Sequence, residues 1–282
     1  MQNNIVTWFN LLYLNNMDLH IICLTKSYNK LDFEYWYRYY RSYNAIIHII
    51  NNDSCVDIKS VITGEKDTYE EINGWPDQWN LFDKILNDNV YNFKNGDYVI
   101  FADDDEYFWF RHGWYTDIGN EFNITPLNVI CVPQIYMSSM HLEEQRSAPY
   151  VLANYYRRND FSSQGKSIIY YDSNLKYSFD RPNKEKGHIP TVKYSDSKEW
   201  LRMAKVVGSD VTKDSTYGIT AYDADIRLYH YHLKSMDDWQ KKWKRGSAAC
   251  TMHPYMEDIK KNPGYDGYST LDLTIKNYIE KL

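Results

Sequence analysis

The chain has little of several things, and each shortage excludes a class of protein. Its 282 residues hold four cysteines, Cys23, Cys55, Cys131 and Cys250, far apart and with no C-x-x-C pair, so a disulfide framework is not expected and the thiols read as reduced and structural. The N-terminal stretch MQNNIVTWFNLLYLNNMDLHIICL has no basic start, and Asn, Asp and His break its apolar runs. It therefore reads as neither a signal peptide nor a membrane span, and the expectation is a soluble, cytoplasmic protein. An excess of positive charge is also missing: 32 Lys and Arg against 38 Asp and Glu leave a formal charge of −6. A surface built throughout to hold nucleic acid by its phosphates is thereby disfavoured, although a local basic groove is not. Glycine and alanine are sparse, and no internal repeat or low-complexity segment is evident.

What is present in quantity is aromatic: 17% of residues, with 28 Tyr and 9 Trp. Such rings offer flat stacking faces with a polar handle for sugars, bases or partner proteins. Part of the excess, with the abundant Asn, Lys and Ile, is what an AT-rich gene produces. The length and the 43% hydrophobic content suit one globular domain with a sizeable core.

The apolar pattern begins as a βαβ unit. LHIICL (19–24) reads as a buried strand ending in the polar turn TKSYN. In KLDFEYWYRYYRSYN the residues Leu31, Tyr35, Tyr39 and Tyr43 recur every four positions and predict a helix, with Asp32 and Glu34 in its first turn. AIIHII (45–50) is a second strand, closed by the turn NNDS, and such a unit predicts a parallel sheet. A further helix is predicted through Trp79, Phe82, Ile85 and Leu86, running on until Gly96 ends the segment. Strands follow at 97–102 and 128–137. Beyond residue 140 the pattern loosens into loops and short strands, until IRLYHYHLKSMDDWQKKWKRG predicts a strand carrying His230, His232 and Lys234 on one face, then a helix capped by Ser235. The tail predicts a turn and a last short helix. The expected organisation is a single domain over 1–282, with a change of pattern near residue 137.

One stretch asks for a chemical explanation. GDYVIFADDDEYFWF (96–110) interrupts an apolar strand with four consecutive acids, Asp103, Asp104, Asp105 and Glu106. If the chain is extended there, Asp103 and Asp105 share a face about 6.6 Å apart. Two like charges at that distance repel by about 2.5 kcal/mol at an effective dielectric near 20. A hard divalent cation, Mn²⁺ or Mg²⁺, would turn the repulsion into attraction and leave positions open for a substrate phosphate. Ligands of open α/β sheets sit beyond the carboxyl ends of parallel strands, so TKSYN, NNDS and DDDE should line one crevice.

The order of these pieces, IFADDDEYF after a βαβ start and HYHLKSMDDWQKKWKRG near the end, resembles the GT-A glycosyltransferases, specifically the group of family 2 and family 92 enzymes with a D-x-D-E motif and a later H-Y-x-x-K-S running to R-G. The likeness covers roughly residues 19–246 and implies a nucleotide-sugar-binding half over about 1–137, with an acceptor half and a C-terminal metal- and phosphate-binding segment over about 138–282. It implies an α/β GT-A fold with a mostly parallel sheet flanked by helices, and transfer of a sugar from a nucleotide-diphosphate donor to a hydroxyl acceptor. It implies that Asp103 and Asp105 hold the metal, with His230 completing its coordination. Lys234 would lie along the diphosphate, and Lys26, Asp53 and Asp103 would contact the donor. SSMH (138–141) and GKSII (165–169) resemble two further stretches of the family. The first loop, TKSYN, keeps a lysine and lacks the carboxylate the family often has there.

The catalytic base is not fixed by the sequence; Glu143, Glu144, Asp180 and His188 are its candidates, and a retaining reaction would need none. Glu106 reads as support for the metal ligands. The acceptor is expected to be a glycan, a lipid-linked sugar or a protein-borne sugar. A second reading is a viral or phage enzyme that glycosylates hydroxymethylated pyrimidines in DNA, served by the aromatic and basic stretches NYYRRND and WQKKWKRG. A third is a non-catalytic sugar- or protein-binding module. A D-x-D phosphoryl-transfer enzyme fits least, because Phe and Tyr stand where such enzymes place Thr or Val.

Overall fold

Isoleucine-rich runs that alternate with turn chemistry become the parallel side of a large sheet. In the computed structural model, the residues described are 17–27, 29–74, 77–123, 127–138, 149–152, 156–158, 165–179, 188–198, 200, 204–207, 212–213, 223–233 and 268–282. Strand β1 (Leu19–Thr25) pairs in parallel with β2 (Ile46–Asn52) on one side and β4 (Tyr98–Phe101) on the other, and β3 (Thr68–Ile72) lies outside β2. Strands β1, β2 and β4 are almost wholly buried, as strands covered on both faces must be.

Helix α1 (Lys30–Arg41) starts where the Asn29 side chain accepts from the amides of Leu31 (3.0 Å) and Asp32 (3.3 Å). Its core face is Phe33, Trp36, Tyr37 and Tyr40, the i, i+3, i+4, i+7 set. Of the four-residue spacing that starts at Leu31, Tyr39 and Tyr43 also lie in the core, whereas Leu31 is 44% exposed. Helix α2 (Gln78–Asn87), capped by Asp77 on the Trp79 amide, buries Phe82, Ile85 and Leu86 against the opposite face of the sheet. It ends well before Gly96. Asn89 adopts a left-handed φ of 50°, and its side chain both accepts from the Phe93 amide (2.6 Å) and donates to the Phe93 carbonyl (3.1 Å), which builds a turn in place of further helix.

The remaining elements complete two linked layers. They are β5 (Glu106–Phe110), α3 (Trp114–Asn123), β6 (Val129–Ser138), β7 (Tyr156–Arg158), β8 (Gly165–Tyr170), β9 (Leu175–Ser178), β10 (Thr191–Tyr194), β11 (Ala204–Val206), β12 (Thr212–Lys213), β13 (Ile226–Leu233), β14 (Tyr268–Leu271) and α4 (Thr274–Ile279). The sheet order is β12-β11-β6-β8-β4-β1-β2-β3, and β8 runs antiparallel to both its neighbours, β4 and β6. The long strand β6 is shared. Its first half pairs with β8, and its second half pairs with β13, which in turn pairs antiparallel with β5. This architecture is α/β, a curled and largely parallel sheet with helices on both faces, the class expected from the sequence.

Cys23, Cys55 and Cys131 are free thiols, and Cys250 lies outside the described residues. Among the described residues no helix is long and apolar enough to cross a membrane.

Candidate functional site

The three polar turns predicted to share a crevice are bonded to one another at the carboxyl ends of β1, β2 and β4. The Thr25 hydroxyl donates to Asp104 Oδ2 at 2.8 Å, joining the end of β1 to the acidic turn. Between the β1 and β2 turns, Lys26 Nζ lies 3.4 Å from Asp53 Oδ2, the Ser27 amide donates to Ser54 Oγ at 2.8 Å, and the Cys55 amide donates to the Ser27 carbonyl at 3.0 Å. Asp53 itself is left-handed, with φ 57°, and its side chain is 75% exposed at the rim.

The acidic stretch is not extended. The Glu106 amide donates to the Asp103 carbonyl at 3.0 Å and closes a turn, so strand alternation does not relate Asp103 to Asp105. A turn sends successive side chains to different neighbours, and each acid here has its own. Asp103 Oδ2 meets Lys166 Nζ at 3.0 Å, and Asp104 takes the Thr25 hydroxyl. Asp105 Oδ1 stands 3.5 Å from His230 Nε2. The fourth acid, Glu106, is fully buried: its Oε2 accepts from the Asp103 amide (3.0 Å) and meets Lys166 Nζ at 3.1 Å, while Oε1 accepts from Gln134 Nε2 (2.8 Å).

The backbone of the turn is held as firmly as its side chains. Trp36 Nε1 (3.1 Å) and the Tyr40 hydroxyl (3.0 Å) both donate to the Glu106 carbonyl. The Tyr150 hydroxyl donates to the Asp104 carbonyl at 2.8 Å, and the Tyr231 amide to the Asp105 carbonyl at 2.9 Å. Tyr150 is anchored in turn by Asp32, whose carboxylate accepts from the Tyr150 amide at 2.9 Å. The aromatic surplus around α1 thus serves as a donor scaffold beneath the acids.

One ammonium, that of Lys166, lies between two of the acids. Burial pushes the Asp103 carboxyl up, but the Lys166 ammonium overcomes it and holds the group below its ordinary range. Glu106 is raised by burial, with Lys166 only partly countering. Burial works against a charged Lys166, yet the carboxylates of Asp103 and Glu106 raise its pKa, so it is an ammonium at any ordinary pH. His188 precedes β10; its carbonyl accepts from Ser167 Oγ at 2.9 Å and its ring meets Trp79 edge-on at 4.9 Å. Burial, and then the field of Lys166, lowers its pKa to about 3, so its imidazole is neutral.

Lys26, Asp53, Asp103, Asp105, His188 and His230 therefore gather around one rim, whereas Glu143, Glu144, Asp180 and Lys234, with Ser235 and its expected helix, lie outside the described residues. Two carboxylates and a neutral imidazole are a suitable donor set for Mn²⁺. The Asp105 to His230 separation of 3.5 Å is close to the edge of about 3 Å that two adjacent ligands make on an ion bound at 2.0–2.1 Å. Asp103 is the exception. Among the described residues its donor atoms do not come within 4.8 Å of both others, because one oxygen is turned to Lys166.

Two other groups do converge that closely, and each has a structural explanation. In Asp18–His20–Asp97, the Asp97 carboxylate accepts from the Asp18 amide, the Lys94 amide and His20. In His112–Asp117–Asp225, Asp117 accepts the His112 amide at the start of α3, and Asp225 pairs with Arg111 at 3.0 Å.

Sequence reasoning missed Lys166, Gln134, Thr25 and Tyr150. Lys166 left a signal: in GKSIIY it alternates onto the same sheet face as Ile168, a core residue, and a lysine on a buried face requires a carboxylate. The others are ordinary strand and loop residues whose role depends on pairing across the sheet.

No protein-family model matches the chain, and no curated protein matches it. Six chains of known structure do. One is the crystal structure of 4-diphosphocytidyl-2C-methyl-D-erythritol synthase, at 12% identity and a TM-score of 0.33, with 55% of this chain and 76% of that chain covered.

Proposed function

We propose that this protein is a glycosyltransferase of the GT-A type, moving a sugar from a nucleotide-diphosphate donor to a hydroxyl acceptor with the help of Mn²⁺ or Mg²⁺. The observation that carries the reading is the acidic turn at the carboxyl end of β4, bonded to the turns after β1 and β2. That rim is where open α/β sheets take their ligands. The D-x-D-E and H-Y-x-x-K-S resemblance supplies the chemistry.

In this reading Asp105 and His230 hold the ion, with Asp103 as the third ligand. When bound, the ion neutralises charge growing on the departing diphosphate. Lys26 and Asp53 lie at the nucleoside end of the rim, and Glu106, fully buried and accepting from three directions, holds the turn in shape. An imidazole with a pKa near 3 accepts protons poorly at neutral pH, so we assign His188 a neutral hydrogen-bonding role. Glu143, Glu144 and Asp180 stay as the base candidates of an inverting reaction. The acceptor is assigned only as a hydroxyl, in a glycan, lipid-linked or protein-borne sugar.

Thermal melting with a panel of nucleoside diphosphates, with and without Mn²⁺, tests the proposal. A ligand at a hundred times its Kd stabilises by about 2.7 kcal/mol. The expected outcome is a rise that needs both the metal and one particular base. No rise with any pair would overturn the reading.

A further inference from the structure

Lys166 has no part in the reading above, yet it sits at the centre of the site. Its ammonium is 3.0 Å from Asp103 Oδ2 and 3.1 Å from Glu106 Oε2, and its side chain is 2% exposed. It comes from β8, where it pairs with Val132 of β6, two residues before Gln134. Gln134 is the same residue that holds the other oxygen of Glu106. Three strands thus bring a buried ammonium to a carboxylate that the metal reading needs.

Glu106 and Asp103 are not equivalent partners for that ammonium. Glu106 is fully enclosed, whereas the Asp103 side chain is 39% exposed at the rim. An ion on Asp105 and His230 lies next to the same carboxylate. A divalent cation and an ammonium on one carboxylate repel each other, the more so because the ammonium is buried.

We propose that Lys166 is a positioning residue that competes with the divalent ion for Asp103, so that ammonium and metal take this carboxylate in turn. The inference rests on the metal reading of the rim. Its consequence is that the ion alone binds weakly, and that a donor diphosphate, which brings further oxygens to the metal, is needed to win Asp103 from the lysine. Metal and donor then bind with positive coupling, each raising the affinity of the other by the same factor.

The test uses the full chain and Mn²⁺ alone, with free Mn²⁺ followed by its electron paramagnetic resonance signal. Lys166→Gln keeps N–H donors for both carboxylates and removes the charge; it is expected to bind Mn²⁺ at least tenfold more tightly than the wild type. Lys166→Arg, which keeps the charge, should stay within about threefold of the wild type. A role confined to holding the turn in shape predicts the opposite sign, with Lys166→Gln binding no better or worse.

Should Lys166→Gln fail to fold, Nζ-detected NMR of the wild type with diamagnetic Mg²⁺ decides the matter. The Lys166 ammonium signal should shift as Mg²⁺ saturates, because the lysine gives up Asp103 while keeping Glu106. A signal unchanged by bound Mg²⁺, or a folded Lys166→Gln with unaltered affinity, overturns the competition. If wild type and variant both fail to bind Mn²⁺ at millimolar concentration, the metal reading falls, and this inference with it.

Discussion

The Thr25 hydroxyl donates to Asp104 Oδ2 at 2.8 Å, across 79 residues of sequence. It is the contact that turns two neighbouring strand ends into one rim, and it explains why the middle acid of the D-x-D triplet does not simply point to water. Replacing Thr25 with Val keeps the shape and removes the donor. The expected loss is about 1 kcal/mol. Urea unfolding should show it as a lower midpoint with an unchanged slope.

The Glu106 carbonyl has two donors, Trp36 Nε1 and the Tyr40 hydroxyl, and Tyr40 also accepts from the Phe108 amide at 3.1 Å. Loss of either donor leaves the carbonyl with one bond, but loss of Tyr40 also strands a buried amide. Tyr40→Phe should therefore cost about 1–3 kcal/mol and Trp36→Phe less from hydrogen bonding. The double variant should exceed the sum of the singles, because only then is the carbonyl left bare. Additive values from denaturation would show that the two bonds are not coupled.

A buried chain of polar contacts at the opposite end of the strands should make the fold sensitive to acid. His20 Nδ1 lies 3.0 Å from His48 Nε2, His48 Nδ1 lies 2.9 Å from Thr68 Oγ1, and His20 Nε2 meets Asp97 at 3.2 Å. Tyr91 stacks on the His48 ring and Phe93 meets it edge-on. Burial, then the field of His20, lowers the His48 pKa to about 3. Unfolded His48 takes up a proton below about pH 6.5, which the folded state refuses down to about pH 3. Its contribution is thus complete above pH 6.5 and is lost as pH falls through that window, by about 1.4 kcal/mol per unit. His48→Gln should flatten the dependence of unfolding free energy on pH between 6 and 4. An unchanged slope would assign the acid sensitivity to other groups.

The two ends of the rim should be separable. Asp105 is buried beside His230, while Asp53 is exposed beside Lys26. Asp105→Asn should abolish the Mn²⁺-dependent part of any nucleotide-induced rise in melting temperature. Asp53→Asn should leave the metal dependence intact and weaken the response to the preferred base by several-fold. Equal effects of the two changes in the same melting assay would argue against distinct metal and nucleoside ends.

Much of this was legible in advance, for identifiable reasons. The strands at 19–24, 45–50, 97–102 and 128–137 announced themselves because β-branched runs between turn residues have few other uses, and their turns met as the sheet rule requires. The helix signalled by Leu31, Tyr35, Tyr39 and Tyr43 is α1, but its buried surface is wider than that row, because aromatics occupy two adjacent faces and only packing tells how far burial extends. The expected overrun of α2 to Gly96 failed on Asn89, whose left-handed backbone is not distinctive in sequence. At the acidic stretch the residue types were informative and the conformation was not. Repulsion between Asp103 and Asp105 was set against a metal alone, whereas the fold gives each of the four acids its own partner, Lys166 for Asp103, Thr25 for Asp104, His230 for Asp105 and Gln134 with Lys166 for Glu106, from four other strands.

The reversed direction of β8 decides what kind of sequence change the rim can absorb. Strand β8 enters at this edge with Gly165 opposite Pro133 and Lys166 opposite Val132, and most of its register, Ile168 against Ile100 and Ile169 against Val129 included, lies downstream. Residues added or removed ahead of Gly165 therefore leave the lysine where it is. A single deletion between Lys166 and Ile168 would pull it out of phase with both flanking strands. Length variation among homologous chains should accordingly be free on one side of this lysine and forbidden on the other.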